Sequence, residues 1–227
     1  MAHRAPRAVS PHRAYAPPPE DSVPLTPTEL LATLRAALAP WTPGTPFWIF
    51  AYGSLMWNPN FAWDARHVAT IRGYHRSFRV WSRINRGTPE NPGLVLTLDC
   101  GGSCRGLVYR ISADRVQEEM HAIWKREMSF GSYRPKWLNC HAGDEEIRAL
   151  VFTVNRSCTG YTGELPMDVV VNAIASARGR YGPAHDYLFR TSETLRAHGI
   201  RDLRVEQLAS LVRARLQAQD GTNYRPR

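Results

Sequence analysis

The first regular pattern of apolar residues along the chain is that of an amphipathic helix. Thr26, Pro27 and Glu29 form a capping box with proline at the first helical position. The apolar stripe that follows has helical spacing and consists of Leu30, Leu31, Leu34 and Leu38. The pattern predicts a helix that ends before Pro40 and is followed by a linker, both within residues 25–46.

The two ends of the chain have no such periodicity. Residues 1–24 are rich in proline, alanine and arginine. A segment of this composition cannot bury enough apolar surface to offset the entropy that it loses on ordering. We therefore predict a disordered tail over residues 1–24, and a flexible tail over residues 217–227, which follow the last helical pattern.

From Phe47 onward the pattern changes to short apolar or alternating runs, which are typical of strands. The predicted strands span residues 47–51, 71–83, 94–98, 107–111 and 146–154. The third and fourth of these strands flank a glycine-containing turn between Cys100 and Cys104, and this arrangement predicts a hairpin.

Helical periodicity returns once among the strands and then dominates the C-terminal part of the chain. Ser112 is the predicted N-cap of a helix that runs to about Glu127. Later helices are predicted at residues 167–178, 186–197 and 205–216. Because strands are followed by mostly C-terminal helices, we predict one α+β domain over residues 47–216.

The chain carries 29 lysine and arginine residues against 20 aspartate and glutamate residues, which gives a formal net charge of +9. The basic residues are scattered, and acidic residues interleave with them at 114–119 and 144–146. A nucleic-acid-binding surface needs a dense basic stripe or patch instead. The charge pattern favours an anionic substrate and predicts no nucleic-acid partner.

Signals for membrane insertion, export and metal binding are weak. The longest uninterrupted apolar run, residues 47–52, is far shorter than the roughly 20 residues that a membrane span needs. The N-terminus has no apolar signal region. Cys100 and Cys104 have a spacing that some zinc sites use, but no second close Cys/His pair completes a site. The sequence predicts a cytoplasmic protein with reduced thiols, no membrane partner and no metal.

The residues from Tyr52 to Leu55 read Tyr-Gly-Ser-Leu and directly follow the predicted strand 47–51. A glycine and a small hydroxyl residue at a strand end allow backbone N–H groups to converge on an anion, because Gly53 has no Cβ to block the approach. An ordinary tight turn would use the same residues. The tetrapeptide fits both interpretations.

Glu127 places a carboxylate on the apolar face of a predicted helix. Val116, Met120 and Ile123 occupy that face at helical spacing, and residue 127 falls at its next position. Burial there would raise the pKa of the glutamate and suit it to proton transfer at neutral pH. A buried ion pair with Arg126, or a helix that ends before residue 127, explains the position equally well.

Five blocks of sequence occur in an order that is characteristic of one family. They read Y-G-S-L-M-W from Tyr52, G-Y-H-R-S-F from Gly73, R-G-T-P-E-N-P-G from Arg86, G-L-V-Y-R from Gly106 and R-E-M from Arg126. Together they resemble the ChaC family of glutathione-specific γ-glutamylcyclotransferases, and Tyr187-Leu188 and Gly199–Asp202 also fit its bacterial members. The resemblance covers about residues 47–212 and implies a small closed or nearly closed mixed β-barrel flanked by helices.

The resemblance also implies an activity and a set of site residues. Family members cleave glutathione to 5-oxoproline and cysteinylglycine by intramolecular aminolysis, which requires no metal and no cofactor. Glu127 matches the family's catalytic glutamate and is expected to act as general acid and base. The residues expected to bind glutathione are Tyr52, Gly53, Ser54, Leu55, Tyr133 and Arg86.

Two of these residues have competing interpretations. Tyr133 also fits a half-buried core tyrosine. Arg86 belongs to a loop over residues 83–93 that is expected to close over the substrate, where it would attract the substrate's carboxylates, but a solvated arginine fits equally well.

Three other functions remain open at the level of the sequence. In the first alternative, the chain has the same chemistry but acts on another γ-glutamyl compound, such as a γ-glutamyl amino acid or a γ-glutamylamine. In the second, the chain is a sensor that binds a γ-glutamyl compound without catalysis, although the retained Glu127 argues against this. The third alternative is a nucleic-acid-binding protein that uses its arginine-rich termini.

Overall fold

A computed structural model describes residue 15 and residues 24–223, including the side chains up to residue 219. The predicted tail over residues 1–24 therefore lies almost wholly outside the described residues. The elements are α1 (Pro27–Leu38), β1 (Phe47–Ala51), a 3₁₀ turn (Ser54–Met56), β2 (Ala65–Ser82), β3 (Gly93–Ile111), α2 (Val116–Glu127), β4 (Tyr133–Ala142), β5 (Glu145–Val154), α3 (Met167–Ser176), β6 (Arg178–Gly179), β7 (Gly182–Pro183), α4 (Ala184–Ala197) and α5 (Leu203–Asn223).

Five strands close into a barrel in the order β1-β3-β2-β4-β5. Neighbouring strands are antiparallel except where β5 meets β1, since Ile49 pairs with Leu150 in a parallel register. The buried side chains of the strands are almost all apolar, and each contributes roughly 1.5–3 kcal/mol when it is fully buried. The expected α+β class and the small mixed barrel flanked by helices are confirmed.

The predicted hairpin over residues 94–111 is wrong, because those residues form the single strand β3. Along nearly its whole length this strand pairs with β2, from Ser82↔Gly93 to Ala65↔Arg110. Gly101 and Gly102, which indicated a turn, have positive φ values and lie beside a register shift between Arg72 and Tyr74. The glycines accommodate a β-bulge, which bends the paired strands without ending them.

Several other elements also differ from the sequence prediction, among them one strand and two helices. The strand β4 was not predicted, because its side chains are mostly exposed or half-buried and form no apolar run. Helix α2 begins at Val116 rather than at Ser112, whose carbonyl accepts a hydrogen bond from the Arg115 amide in a preceding turn. Helix α5 continues past the predicted end at residue 216 into the segment predicted to be a flexible tail.

The helices cover the barrel from outside. Helices α3, α4 and α5 pack against one another, and α3 and α4 also pack against β3. Helix α1 packs on α2, where the indole of Trp124 donates to the Thr33 hydroxyl at 2.9 Å. None of the helices in the described part of the chain has the length and apolar composition needed to span a membrane. The packing leaves one end of α2 next to the loop that follows β1.

Asp99 joins the segment after β5 to the long β2–β3 pair. Its side chain is fully buried and accepts hydrogen bonds from Arg79 at 2.6 Å, from Arg156 Nε at 2.7 Å and from the Tyr161 hydroxyl at 2.9 Å. Burial raises the pKa of this carboxyl, but the hydrogen bonds, led by that of Arg156, hold the pKa at about 2. The charge is tolerated inside the protein because both oxygens are paired.

We predict that Asp99→Asn removes a pH-dependent part of the free energy of unfolding. The pKa of Asp99 is about 2 in the folded protein, below its ordinary value of 3.8. Its stabilisation of about 2 kcal/mol is therefore present above about pH 4 and is lost as the pH falls towards about pH 2. Urea unfolding of both proteins across this range is the measurement, with Asp64→Asn, in an exposed ion pair with Arg110, as the control. A difference between wild type and Asp99→Asn that does not change with pH would contradict the prediction.

Candidate active site

A pocket lies where the loop after β1 meets the end of α2, the start of β4 and one face of α4. Its volume is about 280 Å³, including the part that is open to solvent. The residues that line it are Tyr52, Gly53, Ser54, Leu55, Leu96, Glu127, Tyr133, Phe152 and Tyr187. Six of the seven residues that the sequence singled out are thus brought together, and Glu127 is the charged residue among those lining the pocket.

Glu127 is the last residue of α2, and only 14% of its side chain is exposed. Burial raises the pKa of this carboxyl above its ordinary value of 4.5, and the Arg126 guanidinium partly opposes that rise. The ion pair with Arg126 is present, with 3.0 Å between Arg126 Nε and Glu127 Oε1. The helix includes residue 127, so the alternative of an earlier helix end is wrong. A carboxyl with a raised pKa in a pocket can both accept and return a proton near neutral pH.

Arg126 connects this carboxylate to the loop after β1. Its Nη2 donates to the Ser54 hydroxyl at 2.8 Å, and its Nη1 donates to the Asn58 carbonyl at 2.5 Å. The planar guanidinium offers donors in fixed directions, so a single side chain can hold three acceptors in one arrangement. Arg126 therefore fixes the distance between Glu127 and the Tyr52–Leu55 segment.

The Tyr52–Leu55 segment is a tight turn whose residues line the pocket. The Met56 and Asn58 amides donate to Gly53 and Ser54 carbonyls within the turn, at 2.9 and 2.8 Å. The Ser54 and Leu55 amides are the first in this turn, so the turn itself has no earlier carbonyl to which they could donate, as at the start of every helix. Both interpretations of the tetrapeptide are therefore compatible, since the same turn that closes on itself also presents donors.

A buried arginine supports this turn from the side of the barrel. Arg76 donates through Nε to the Tyr52 carbonyl and through Nη2 to the Arg105 carbonyl, both at 2.6 Å. Its Nη1 forms an ion pair with Asp202, whose other oxygen accepts from the Val205 amide in the first turn of α5. Sequence analysis did not assign a role to Arg76 or Asp202, although both lie in matched blocks of sequence.

Three tyrosines surround the pocket. Burial raises the pKa of Tyr52, Tyr133 and Tyr187, the charge of Glu127 raises each pKa further, and the pKa of Tyr187 reaches about 12. All three hydroxyls are therefore protonated at neutral pH. The Tyr133 hydroxyl donates to the Leu96 carbonyl at 3.1 Å. Sequence analysis missed Tyr187 as a site residue, and its only signal was the match of Tyr187-Leu188 to family members.

Arg86 is the one predicted site residue that does not line the pocket. It is buried, its Nη1 donates to the Tyr181 and Pro183 carbonyls at 2.6 and 3.3 Å, and its guanidinium carbon lies 5.4 Å from the centre of the Tyr187 ring. Neither expectation for Arg86 matches this position, which is behind Tyr187 and away from solvent.

The loop over residues 83–93 is held in place by backbone contacts. The Arg180 and Tyr181 amides donate to the Ile84 and Asn85 carbonyls at 2.7 and 3.0 Å. Gly179 lies so close to this loop that a Cβ there would be 2.5 Å from the Gly87 amide nitrogen. The contacts describe a loop packed on the short β6–β7 hairpin rather than a flap over the pocket.

The similarity of this chain to known proteins extends over nearly the whole predicted domain. The family model of the ChaC-like proteins matches residues 47–215. The chain belongs to the ChaC-like family. The match begins at β1 and ends within α5, so it includes every residue that lines the pocket. In the described part of the chain, this ChaC-like protein has no group of three histidine, cysteine, aspartate or glutamate side chains placed to hold a metal ion.

Relatives of this ChaC-like protein include curated proteins from bacteria and animals. It is 34% identical to the glutathione-specific γ-glutamylcyclotransferase of Escherichia coli (strain K12) over 184 residues, which cover 81% of this chain and 80% of the relative. It is 31% identical to the human glutathione-specific γ-glutamylcyclotransferase 1 over 202 residues, which cover 86% and 90%. These alignments include both ends of the barrel.

A solved structure from yeast has the same fold. It is a selenomethionine-labelled γ-glutamyl cyclotransferase specific to glutathione, which matches 75% of this chain and 96% of its own with a TM-score of 0.70 and 22% sequence identity. At this identity the likeness concerns the arrangement of strands and helices.

We predict that Arg126→Met raises the pKa of Glu127 further above its ordinary value. The guanidinium is the group that opposes the effect of burial, so its removal leaves desolvation uncompensated. A carbon-13 NMR titration of labelled glutamate carboxyls measures the pKa, with the Glu127→Gln spectrum as assignment. Lys125→Met, which removes an exposed neighbouring cation, is the control and is expected to leave this pKa unchanged. A pKa for Glu127 that is lower in Arg126→Met than in wild type would show that the assignment of causes is wrong.

Proposed function

We propose that this chain is a γ-glutamylcyclotransferase that cleaves glutathione into 5-oxoproline and cysteinylglycine. The observation that carries the proposal is the buried Glu127 carboxyl, which shares a small pocket with the residues of the Tyr52–Leu55 turn. The names of the Escherichia coli and human relatives support glutathione as the substrate.

The reaction that this pocket suits is an attack within one molecule. The α-amino nitrogen of the γ-glutamyl group forms a bond with the γ-carbonyl carbon and closes a five-membered lactam, and the amide C–N bond to cysteine breaks. Since nucleophile and electrophile belong to the same molecule, the protein mainly has to select a folded conformer. Orientation of this kind can supply roughly 7–11 kcal/mol of the barrier.

Glu127 would move the proton that this reaction transfers. The α-amine is protonated at neutral pH, because its ordinary pKa is about 8, and must lose a proton before it can attack. Glu127 accepts this proton and donates it to the departing cysteine nitrogen. The attacking nitrogen loses a second proton as the lactam forms, and the carboxylate relays it to the released amine, which leaves as ammonium. The raised pKa of Glu127 makes the carboxylate a stronger base for the first transfer, and its acid form still protonates the departing nitrogen because an amine is more basic than a carboxylate.

The remaining pocket residues would hold the γ-glutamyl group. The Ser54 and Leu55 amides would bind its α-carboxylate or the oxyanion that develops on the γ-carbonyl, where one donor contributes about 2.7–4 kcal/mol. Tyr133 would contact the substrate through its ring, because its hydroxyl proton is committed to Leu96. The pocket would receive the γ-glutamyl group, while cysteinylglycine would extend towards solvent.

The setting that we propose for this reaction is the cytoplasm. All four cysteines are free thiols. Free thiols persist in a reducing compartment, which is the usual condition of the cytosol.

We predict that Glu127→Gln lowers kcat by at least about 10²–10⁴-fold and leaves the fold unchanged, because glutamine has nearly the same shape but cannot carry the proton. Purified protein is incubated with glutathione without added metal or cofactor, and 5-oxoproline and cysteinylglycine are quantified by mass spectrometry. Glu118→Gln, an exposed glutamate of the same helix, is the matched control and is expected to remain active.

Three outcomes would count against the proposal in different ways. Near-normal turnover by Glu127→Gln would exclude Glu127 as the acid/base. If wild type turns over γ-glutamyl amino acids or γ-glutamylamines but not glutathione, the chemistry stands and the substrate is wrong. No product from any of these compounds would overturn the proposed activity as a whole.

A further inference from the structure

The Tyr187 hydroxyl lies directly over the turn that forms one wall of the pocket. A Cβ on Gly53 would be only 2.9 Å from this oxygen, which is closer than such atoms approach one another. Glycine at position 53 therefore has a second role besides freeing the backbone, because it makes room for a phenol oxygen. The oxygen belongs to α4, far along the chain from the turn.

The ring that carries this hydroxyl is held on three sides. Trp57 and Phe78 contact it edge to face, with ring centres 6.0 and 6.1 Å away, and the Arg86 guanidinium lies over it at 5.4 Å. Tyr187 is 6% exposed. A side chain packed in this way cannot change rotamer without disturbing all three neighbours, so the hydroxyl has a fixed position in the pocket.

The backbone of Leu96 forms different hydrogen bonds with the hydroxyls of Tyr133 and Tyr187. Strand β1 pairs with β3 only at residues 107–111, so it does not cover the backbone of Leu96. The Leu96 carbonyl accepts a hydrogen bond from the Tyr133 hydroxyl at 3.1 Å. A hydrogen bond with the Leu96 backbone lowers the pKa of Tyr187, which is the effect expected where a phenol oxygen accepts from an amide.

The two tyrosines therefore differ in what their protons can do. The Tyr133 hydroxyl already donates to the Leu96 carbonyl, whereas the O–H of Tyr187 is left to donate to another acceptor. Burial keeps this O–H protonated at neutral pH, since the pKa of Tyr187 is about 12. The residue thus offers a neutral, fixed donor in the same pocket as the Glu127 carboxyl.

We propose that Tyr187 is a second catalytic residue, whose hydroxyl donates a hydrogen bond to the γ-carbonyl oxygen as that oxygen becomes an oxyanion. The inference rests on the proposed cyclotransferase activity. As the amine nitrogen bonds to the γ-carbon, the carbonyl π electrons move onto the oxygen, which Tyr187 and the turn amides stabilise. When the intermediate collapses, the C=O bond reforms, and the departing nitrogen takes its proton from Glu127. Tyr187 keeps its own proton throughout.

The kinetic signature of this role is a loss of kcat with little change in KM. A donor that acts on a developing charge binds the transition state more strongly than the ground state. Tyr187→Phe keeps the packed ring and removes the hydroxyl, and we expect kcat to fall by about 10²-fold. The hydroxyl also contacts the Leu96 backbone, so thermal unfolding of the variant is measured alongside and is expected to show that it remains folded at the assay temperature. Tyr181→Phe, on a tyrosine that is 60% exposed, is the matched control and is expected to keep wild-type kinetics.

The experiment separates this inference from the proposed function. If wild type does not form 5-oxoproline, the proposed function fails. If wild type is active and Tyr187→Phe retains a kcat within about threefold of it, the proposed role of Tyr187 is overturned. A loss confined to KM would also overturn it, because the hydroxyl would then bind the ground state.

A double-mutant cycle with Gly53→Ala supplies an independent test. The alanine methyl would displace the phenol oxygen, so Gly53→Ala alone should lower kcat. Phenylalanine at 187 lacks that oxygen and relieves the clash. We therefore expect Gly53→Ala/Tyr187→Phe to be no slower than Tyr187→Phe. Losses that multiply in the double variant would show that the two residues act independently and would overturn the proposal.

Discussion

The pocket depends on two guanidinium groups that hold one turn from opposite sides. Arg76 binds the Tyr52 carbonyl from the barrel, and Arg126 binds the Ser54 hydroxyl from α2. Hydrogen bonds that involve a charged group contribute about 1.5–3 kcal/mol each, roughly twice the value of neutral ones. The turn also packs Tyr52, Leu55 and Met56 into the core. The charged contacts add to this packing and hold the backbone of the turn in one arrangement.

The same arrangement balances the charge of the site. Glu127 is surrounded by tyrosines, whose hydroxyls remain neutral, and burial raises its pKa. Arg126 lies close enough to moderate the rise without abolishing it. A carboxyl with no cation nearby would be protonated too readily to serve as a base, and one paired in open solvent would be too weak a base. The basicity of Glu127 lies between these limits, because Arg126 also donates hydrogen bonds to Ser54 and Asn58.

How much of this arrangement the sequence predicts depends on how local the signal is. The position of Glu127 follows from one helix face, and the turn at Tyr52–Leu55 follows from adjacent residues. Strand β4 has no apolar run to reveal it, and the glycines within β3 have the same appearance as a turn. Tyr187 and Arg76 reach the pocket through contacts between distant parts of the chain. Periodicity cannot predict such contacts, and only the fold brings these side chains together.

The parallel pairing of β1 with β5 has a consequence for how the protein is made. Strand β1 leaves the ribosome early, but its partner at Leu150 is synthesised only after the other barrel strands. Contacts between residues so far apart in sequence form late, since the intervening chain must first be ordered. The turn after β1 also waits for Asp202 at the far end of the chain. A nascent or truncated chain therefore has no partly working site, and activity appears only when synthesis is nearly complete.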